Sequence, residues 1–348
     1  MMPPTAAKSG SIHLLYRFCL LRILLVGILL CNTVTVPLIN AKRFKVSPDG
    51  LTGYALSEAL SLAGPGDTVY LNDGTYDEPL VTVGGGSQGD PLKIVGERAA
   101  VINGELDGRA VLVKHSWITM KGFTVNGTMD SANKVDSYVN KCVYVLGGGN
   151  DDPLDGLTML DMGIHNCGGE CVRLKKGVQN AELSGNTITN CGIHYYRFGR
   201  GNNNGEGIYI GTSASQVSLD DLESPDECNN IMVTGNDIAT NGNECVDIKE
   251  GASGNMITDN TCSWQLDEVS AGFNIRGNYN TVHDNKVENC QGFGVRLGGW
   301  TVQGTQNGVN NSVCGNEFKN TGGLFNIRIS PQSEICENSC VEGDCSVQ

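Results

Sequence analysis

The segment "VTGNDIATNG" (233–242) is one of four copies of a single pattern in this chain. The other copies are "LSGNTITNCG" (183–192), "VHDNKVENCQG" (282–292) and "VCGNEFKNTGG" (313–323). With the asparagine as marker, the pattern recurs at Asn236, Asn260, Asn285, Asn316 and Asn338, at intervals of 22 to 31 residues. A repeat of this length indicates a solenoid, in which each unit buries its apolar face only against its neighbours.

A second set of short strands lies between these copies. Apolar residues alternate there with polar ones, as at Val246 and Ile248 or at Phe273 and Ile275, which is the period of a β-strand. Several short strands per unit, without helical patterns between them, predict an all-β fold: a single-stranded right-handed parallel β-helix. The recurring asparagine predicts a stacked amide ladder, and the glycines predict left-handed bends.

The amino end of the repeat carries a different pattern. "GYALSEALSLAGPGDTVYLNDGTY" (53–76) opens with apolar residues at helical spacing, after which "PGD" ends the helix and "TVYL" begins the first strand. A short α-helical cap over 44–66 would cover the open edge of the solenoid. In this pattern, residues 44–340 resemble the pectate lyase-like group of right-handed parallel β-helix proteins.

The first 41 residues read as a secretory signal peptide. Lys8, Arg17 and Arg22 precede the apolar run 23–31, and no acidic residue occurs before Asp49. A signal anchor is the alternative, because 23–39 is just long enough to span a bilayer. With cleavage, residues 42–348 form one secreted domain, which we expect to be a monomer without a membrane partner.

Twelve of the fourteen cysteines follow the signal segment, and an even number in an exported chain favours disulfides. Equivalent positions on neighbouring coils lie about 4.8 Å apart, a separation that disulfides tolerate. We therefore expect three bridges, Cys142–Cys171, Cys167–Cys191 and Cys314–Cys336. The sequons at Asn126 and Asn310 predict N-glycosylation on a secreted surface.

The net charge restricts the partners. Residues 42–348 hold 21 basic and 38 acidic residues, a net charge of −17, which repels nucleic acid at long range. If the partner is a polyanion, positive charge or a bound cation must be concentrated in one place.

Positive charge is concentrated in this way when the strands of the second set are aligned by their inward-facing residues. One outward column contains Tyr144, Arg173, Tyr209, Asp247, Asn274, Arg296 and Asn326, and the next contains Lys175, Gly211, Lys249, Arg276, Gly298 and Arg328. Insertions at 193–205 and 212–229 are placed to wall a groove beside these columns. A solvated strand face is the simpler interpretation of outward charges.

β-Elimination on a uronate chain could use this cluster. The proton at C5 is weakly acidic, so the neighbouring carboxylate must be neutralised and a base must take the proton. Lys249 could be that base if Arg276, stacked on it, lowers its pKa. Glu244 and Asp247 are candidate Ca²⁺ ligands, and Arg296, Arg328, Asn274 and Tyr209 are candidate contacts to the sugar.

Three segments in order, "ECVDIKEG" (244–251), "NIRGN" (274–278) and "GVRLGG" (294–299), resemble polysaccharide lyase family six, the alginate lyase and chondroitinase B-like enzymes. The resemblance implies Lys249 as base, Arg276 as its partner, Glu244 and Asp247 as calcium ligands, and an acidic polysaccharide as substrate. The acids of that family alternate as Glu-x-Glu; here Glu244 and Asp247 are three apart, which predicts opposite facing. The alternative function is a non-catalytic carbohydrate-binding or adhesive β-helix.

Overall fold

The computed structural model describes residues 41–217 and 222–348. The signal peptide predicted for 1–41 therefore lies, apart from Ala41, outside the described residues. Among the described residues, no helix is long and apolar enough to cross a membrane.

Three parallel sheets run the length of the described chain, and each coil contributes one strand to each sheet in turn. Sheet 1 contains Arg43–Val46, Thr68–Leu71, Leu92–Gly96, Ile118–Lys121, Thr158–Leu160, Glu182–Ser184, Met232–Thr234, Met256–Thr258, Thr281–His283, Ser312–Cys314 and Glu334–Cys336. Sheet 2 contains Gly74–Tyr76, Ala100–Ile102, Thr124–Asn126, Gly163–His165, Thr187–Thr189, Asp237–Ala239, Thr261–Ser263, Lys286–Cys290, Glu317–Thr321 and Ser339–Gly343. Sheet 3 contains Leu80–Val81, Arg109–Val113, Lys141–Leu146, Val172–Lys175, Ile208–Ile210, Val246–Ile248, Ala271–Ile275, Phe293–Leu297 and Phe325–Ile327. The chain is a right-handed parallel β-helix, as predicted.

Few elements lie outside these sheets. Leu154–Asp155 pairs with Val178–Gln179 in a separate short ladder. The α-helices are Leu56–Leu62 and Ile193–Tyr196, and Val135–Ser137 and Ala214–Gln216 are 3₁₀ turns. The first helix buries Leu56, Ala59 and Leu60. Thr68–Leu71 is not the first strand, because Arg43–Val46 precedes it and pairs with it.

Two ladders of side-chain amides run through the turns. Asn186, Asn236, Asn260, Asn285 and Asn316 each donate from Nδ2 to Oδ1 of the residue one coil on, at 2.9–3.0 Å, and Asn338 ends the series. A second ladder joins Asn255, Asn280, Asn311 and Gln332 in the same way. The amides satisfy one another and the backbone inside the solenoid, where an unpaired polar group would be costly.

The disulfides correct two of the three expected pairs. Cys142 is bonded to Cys167 and Cys171 to Cys191, with Cα atoms 5.6 and 5.4 Å apart. Cys142 and Cys171 do precede paired residues of neighbouring strands, but each is bonded instead to the cysteine that follows the sheet 2 strand next to it, across the corner between sheets 2 and 3. The third expected pair, Cys314–Cys336, is bonded.

Two further bridges, Cys245–Cys262 and Cys340–Cys345, were not predicted. Cys228 and Cys290 are buried free thiols. Among the described residues there are thus five bridges where three were expected.

Candidate functional site

The outer face of sheet 3 carries the first predicted column. Strand pairing places Tyr144 against Arg173, Arg173 against Tyr209, and Tyr209 against Asp247. The column continues through Asn274, Arg296 and Asn326. In the second column, the backbone amides of Lys249, Arg276, Gly298 and Arg328 each donate to a carbonyl of the preceding strand, so these residues also stack coil by coil.

Four residues at the centre of these columns are buried, so a solvated strand face is the wrong interpretation for them. The exposed fraction is 3% for Arg173, 5% for Tyr209, 1% for Asp247 and 6% for Lys249. Loops flank the sheet and form a groove, whose floor is the outer face of sheet 3. On one side, 193–205 lines it through Asn204, and 264–270 is joined to the floor by the hydrogen bond from Ser270 to Glu244. On the other side, 212–217, 222–229 and 299–307 are joined to one another and to the floor through Asp226 and Glu250.

Hydrogen bonds fix both walls to the floor. On one side, Tyr196 donates to Asn243, and Asn243 Nδ2 donates to the Asn203 carbonyl at 2.7 Å. On the other side, the fully buried Glu250 accepts from the amides of Ala214 and Trp300, both at 3.1 Å. Glu250 therefore positions two loops at once, a role that its place at the end of "VDIKE" did not suggest.

A column of three glutamates runs beside the two predicted columns. Glu170, Glu206 and Glu244 each lie two residues before paired residues of consecutive strands, and all three are buried. The recurring Gly-Glu or Asn-Glu before each strand was the sequence signal for this column. Because Glu244 precedes its strand, strand alternation does not apply to it, and the predicted opposite facing of Glu244 and Asp247 is wrong.

Oxygen atoms of Glu206, Glu244 and Asp247 all lie within 4.8 Å of one another. Burial, and then the carboxylates of Glu170 and Glu244, raise the pKa of Glu206 to about 8. Burial and Asp247 raise the pKa of Glu244. Asp247 Oδ1 is buried without a hydrogen bond. Three clustered carboxylates with an unsatisfied oxygen fit a hard cation such as Ca²⁺, which takes oxygen ligands.

Lys249 forms an ion pair with Asp247, and its Nζ lies 4.1 Å from the centre of the Tyr209 ring. Burial lowers the pKa of Lys249, but the Asp247 carboxylate, together with Tyr209 and Glu206, holds that pKa above its ordinary value. Arg276 does act to lower this pKa, as predicted, but the other groups outweigh it, so the predicted net lowering is wrong. Arg276 is itself occupied, with Nε 3.9 Å from Asp247 Oδ1 and 3.6 Å from Glu250 Oε1.

Arg173 completes the cluster on the preceding coils. Its guanidinium lies 3.4 Å from the centre of the Tyr209 ring and 3.8 Å from Glu170. Tyr209 is thus held between the cations of Arg173 and Lys249. A cavity of about 210 Å³ opens here, with Asn204 and Gln216 from the two walls among its lining residues.

The remaining predicted contacts lie on later coils. Asn274 donates to Glu244 at 3.3 Å, and its Oδ1 is buried without a partner. Arg296 donates to the Val269 carbonyl at 3.2 Å. Arg296 is paired with Asn326, and the amide of Arg328 donates to the Leu297 carbonyl, so the two arginines lie on neighbouring coils. Burial, and then Arg328, lower the pKa of Arg296. Asn126 and Asn310 are half-buried, and their glycosylation stays a prediction.

Solved structures share this fold at low sequence identity. The chain matches an alginate lyase from Paenibacillus sp. str. FPU-7 with a TM-score of 0.70 and 17% identity, over 88% of this chain and 98% of that one. It matches pectate lyase Pel9A with a TM-score of 0.56 and 12% identity, over 88% and 78% of the two chains. A lacto-N-biosidase from Eubacterium ramulus matches with a TM-score of 0.55 and 13% identity, over 88% and 68%. No family model and no curated protein matches the sequence. These likenesses, with the three parallel sheets, confirm the right-handed parallel β-helix fold.

Proposed function

We propose that the protein cleaves a uronate-containing polysaccharide by β-elimination in the groove over sheet 3. The observation that carries the proposal is the buried stack of Arg173, Tyr209, Lys249 and Arg276 on consecutive coils of an acidic chain. Burying so many charged groups of both signs together is expensive unless a ligand or a reaction uses them. The alginate and pectate lyases named above share the fold, which is a supporting analogy.

The residues of the stack divide the chemistry between them. In β-elimination a base takes the C5 proton, the electron pair forms the C4–C5 double bond, and the C4–O bond breaks. We assign proton removal to Lys249 and proton donation to the leaving oxygen to Tyr209. The centre of the Tyr209 ring lies 4.1 Å from Lys249 Nζ. The guanidinium groups of Arg173 and Arg276 stabilise the negative charge that grows on the uronate carboxylate.

Lys249 must lose its proton before it can act as a base. Glu206, Glu244 and Asp247 would hold calcium, and their arrangement fits one. When bound, a calcium ion would supply positive charge that offsets Asp247 and helps to neutralise the uronate carboxylate. Arg276 contacts Asp247 and Glu250. We assign it as the partner of Lys249 in the cluster.

Product absorbance tests this proposal. The full chain is incubated with polymannuronate, polyguluronate, polygalacturonate, chondroitin or dermatan, with calcium or with chelator, and the unsaturated uronate product is followed. We expect cleavage of at least one substrate, and a loss of about a thousandfold or more in Lys249→Ala.

Lys286→Ala is the matched control, because Lys286 forms its ion pair among the described residues with Glu288, on the exposed side of sheet 2. This variant should cleave at the wild-type rate. If the protein is instead a non-catalytic binding protein, it should bind a polysaccharide but yield no product from any substrate. Lys249→Ala should then leave that binding unchanged.

We also propose that the mature protein works outside the cell. Five disulfides are present among the described residues, and disulfides persist in oxidising compartments. Expression of the full chain, followed by detection of disulfide-bonded, glycosylated product in the medium, tests export. Retention of reduced protein inside the cell would contradict it.

A further inference from the structure

A second cavity opens on the groove beyond Arg276, toward the carboxyl-terminal coils. It measures about 230 Å³ and is lined by Gly298, Gly299, Trp300, Thr301, Arg328 and Ile329. Drug-sized ligands occupy cavities of roughly 300–1,000 Å³, so this smaller space suits a single sugar ring. Gly298 and Gly299 keep it open: a Cβ on Gly298 would come within 2.9 Å of Arg328 Cβ.

Trp300 is an exposed aromatic residue on an anchored backbone. Its side chain is 61% exposed, yet its amide donates to Glu250 at 3.1 Å and its carbonyl accepts from Asn307 Nδ2 at 2.9 Å. The indole is therefore presented at the edge of the groove with little loss of backbone freedom on binding. Its flat apolar face suits stacking against the C–H face of a pyranose ring.

The charge beside Trp300 is positive. Arg328 is exposed, and none of the ion pairs among residues 41–217 and 222–348 involves it. Arg296, one strand earlier, has its Nε buried without a hydrogen bond. An anion bound between two neighbouring arginines relieves their mutual repulsion, and guanidinium groups bind carboxylates in a bidentate manner.

We propose that this cavity is a separate subsite for one uronate residue of the polysaccharide, with Trp300 stacking on the ring and Arg328 binding its carboxylate. The inference rests on the proposed function for the identity of the chain that fills it. Lys249 and Arg328 are three coils apart in one column, so a chain bound along the groove must be several residues long to reach both. The protein should therefore bind long oligouronates more tightly than short ones.

Calorimetric binding to the Lys249→Ala protein, which keeps the ligand intact, tests the subsite. The probes are mannuronate, guluronate and galacturonate oligomers of two, four and six residues. We expect Trp300→Ala and Arg328→Ala each to weaken binding of the six-residue probe by about tenfold or more, and to leave the two-residue probe unaffected. Trp300→Phe, which keeps an aromatic face, should recover most of the affinity.

Tyr54→Ala is the control, because Tyr54 is an exposed aromatic residue (38%) at the amino-terminal end of the described chain and lines neither this cavity nor the groove. It should bind every probe as the parent does. Equal affinity of Trp300→Ala and parent for all lengths, equal weakening at all lengths, or no binding of any probe would overturn the subsite. Length-dependent binding without cleavage by the wild-type protein would leave the subsite standing and remove the lyase proposal. Cleavage by the wild-type protein, with binding unchanged in Trp300→Ala and Arg328→Ala, would support the lyase proposal and overturn the subsite.

Discussion

Glu206 is the residue through which pH acts on the carboxylate cluster. Its pKa is raised by burial, and then by Glu170 and Glu244, to about 8 from an ordinary 4.5. Between these values the folded chain keeps a proton that the unfolded chain has released. The stability from this proton is therefore complete below about pH 4.5 and is lost as pH rises through about 8. We expect the free energy of unfolding in chelator to fall by up to about 1.4 kcal/mol per pH unit in that window.

Urea unfolding at a series of pH values measures this slope. Glu206→Gln should flatten it, because the amide does not titrate. Glu334→Gln, on the exposed side of sheet 1, should keep the wild-type slope. Calcium should reduce the slope in the wild type, since cation and proton compete for the same carboxylates. An identical slope in Glu206→Gln would assign the pH dependence to other groups.

Residue by residue, alternation predicted which side chains share the groove but not their charge states. The stacking of Lys249 beside Arg276 followed from a period of two. The pKa of Lys249 depends instead on the acidic groups buried around it, Asp247 first and Glu206 among the others. Glu206 precedes its strand, so strand alternation does not place it, and for this reason the expected lowering of the pKa was wrong.

The asparagine ladder is the element that most directly links the sequence repeat to stability. Asn260 accepts from Asn236 and donates to Asn285, while its Nδ2 also reaches the Val233 carbonyl at 2.9 Å. Asn260→Ala would leave buried amide and carbonyl groups without partners, at about 1–3 kcal/mol each. We expect this variant to lose about 2–4 kcal/mol of the free energy of unfolding, measured by urea denaturation.

Asn241→Ala offers the comparison, because Asn241 also bonds to an asparagine one coil away but is exposed. It should lose less than about 1 kcal/mol. Equal losses in the two variants would mean that burial does not determine how much the ladder contributes to the free energy of unfolding.

Among the structural elements, the repeat predicted the order of the coils and the first amide ladder, because both follow from the interval between repeats. It did not predict the bridges Cys142–Cys167 and Cys171–Cys191. Those pairs depend on how the chain turns the corner between sheets 2 and 3, which the repeat interval leaves undetermined.

For the whole molecule, the net negative charge repels a polyuronate at long range, whereas the cations of the groove attract it at short range. The full chain carries −14, so a polyuronate approaching it is repelled until it reaches the arginines and lysine of the groove. Salt screens the long-range repulsion strongly, with a Debye length of about 10 Å at 0.1 M, but screens buried contacts much less. We therefore expect kcat/KM for a polymeric uronate to rise as sodium chloride increases from about 0.01 to 0.15 M. A two-residue substrate, with few charges, should show a smaller rise. A steady fall in kcat/KM with salt for the polymer would show that the positive groove, rather than the acidic surface, controls the encounter.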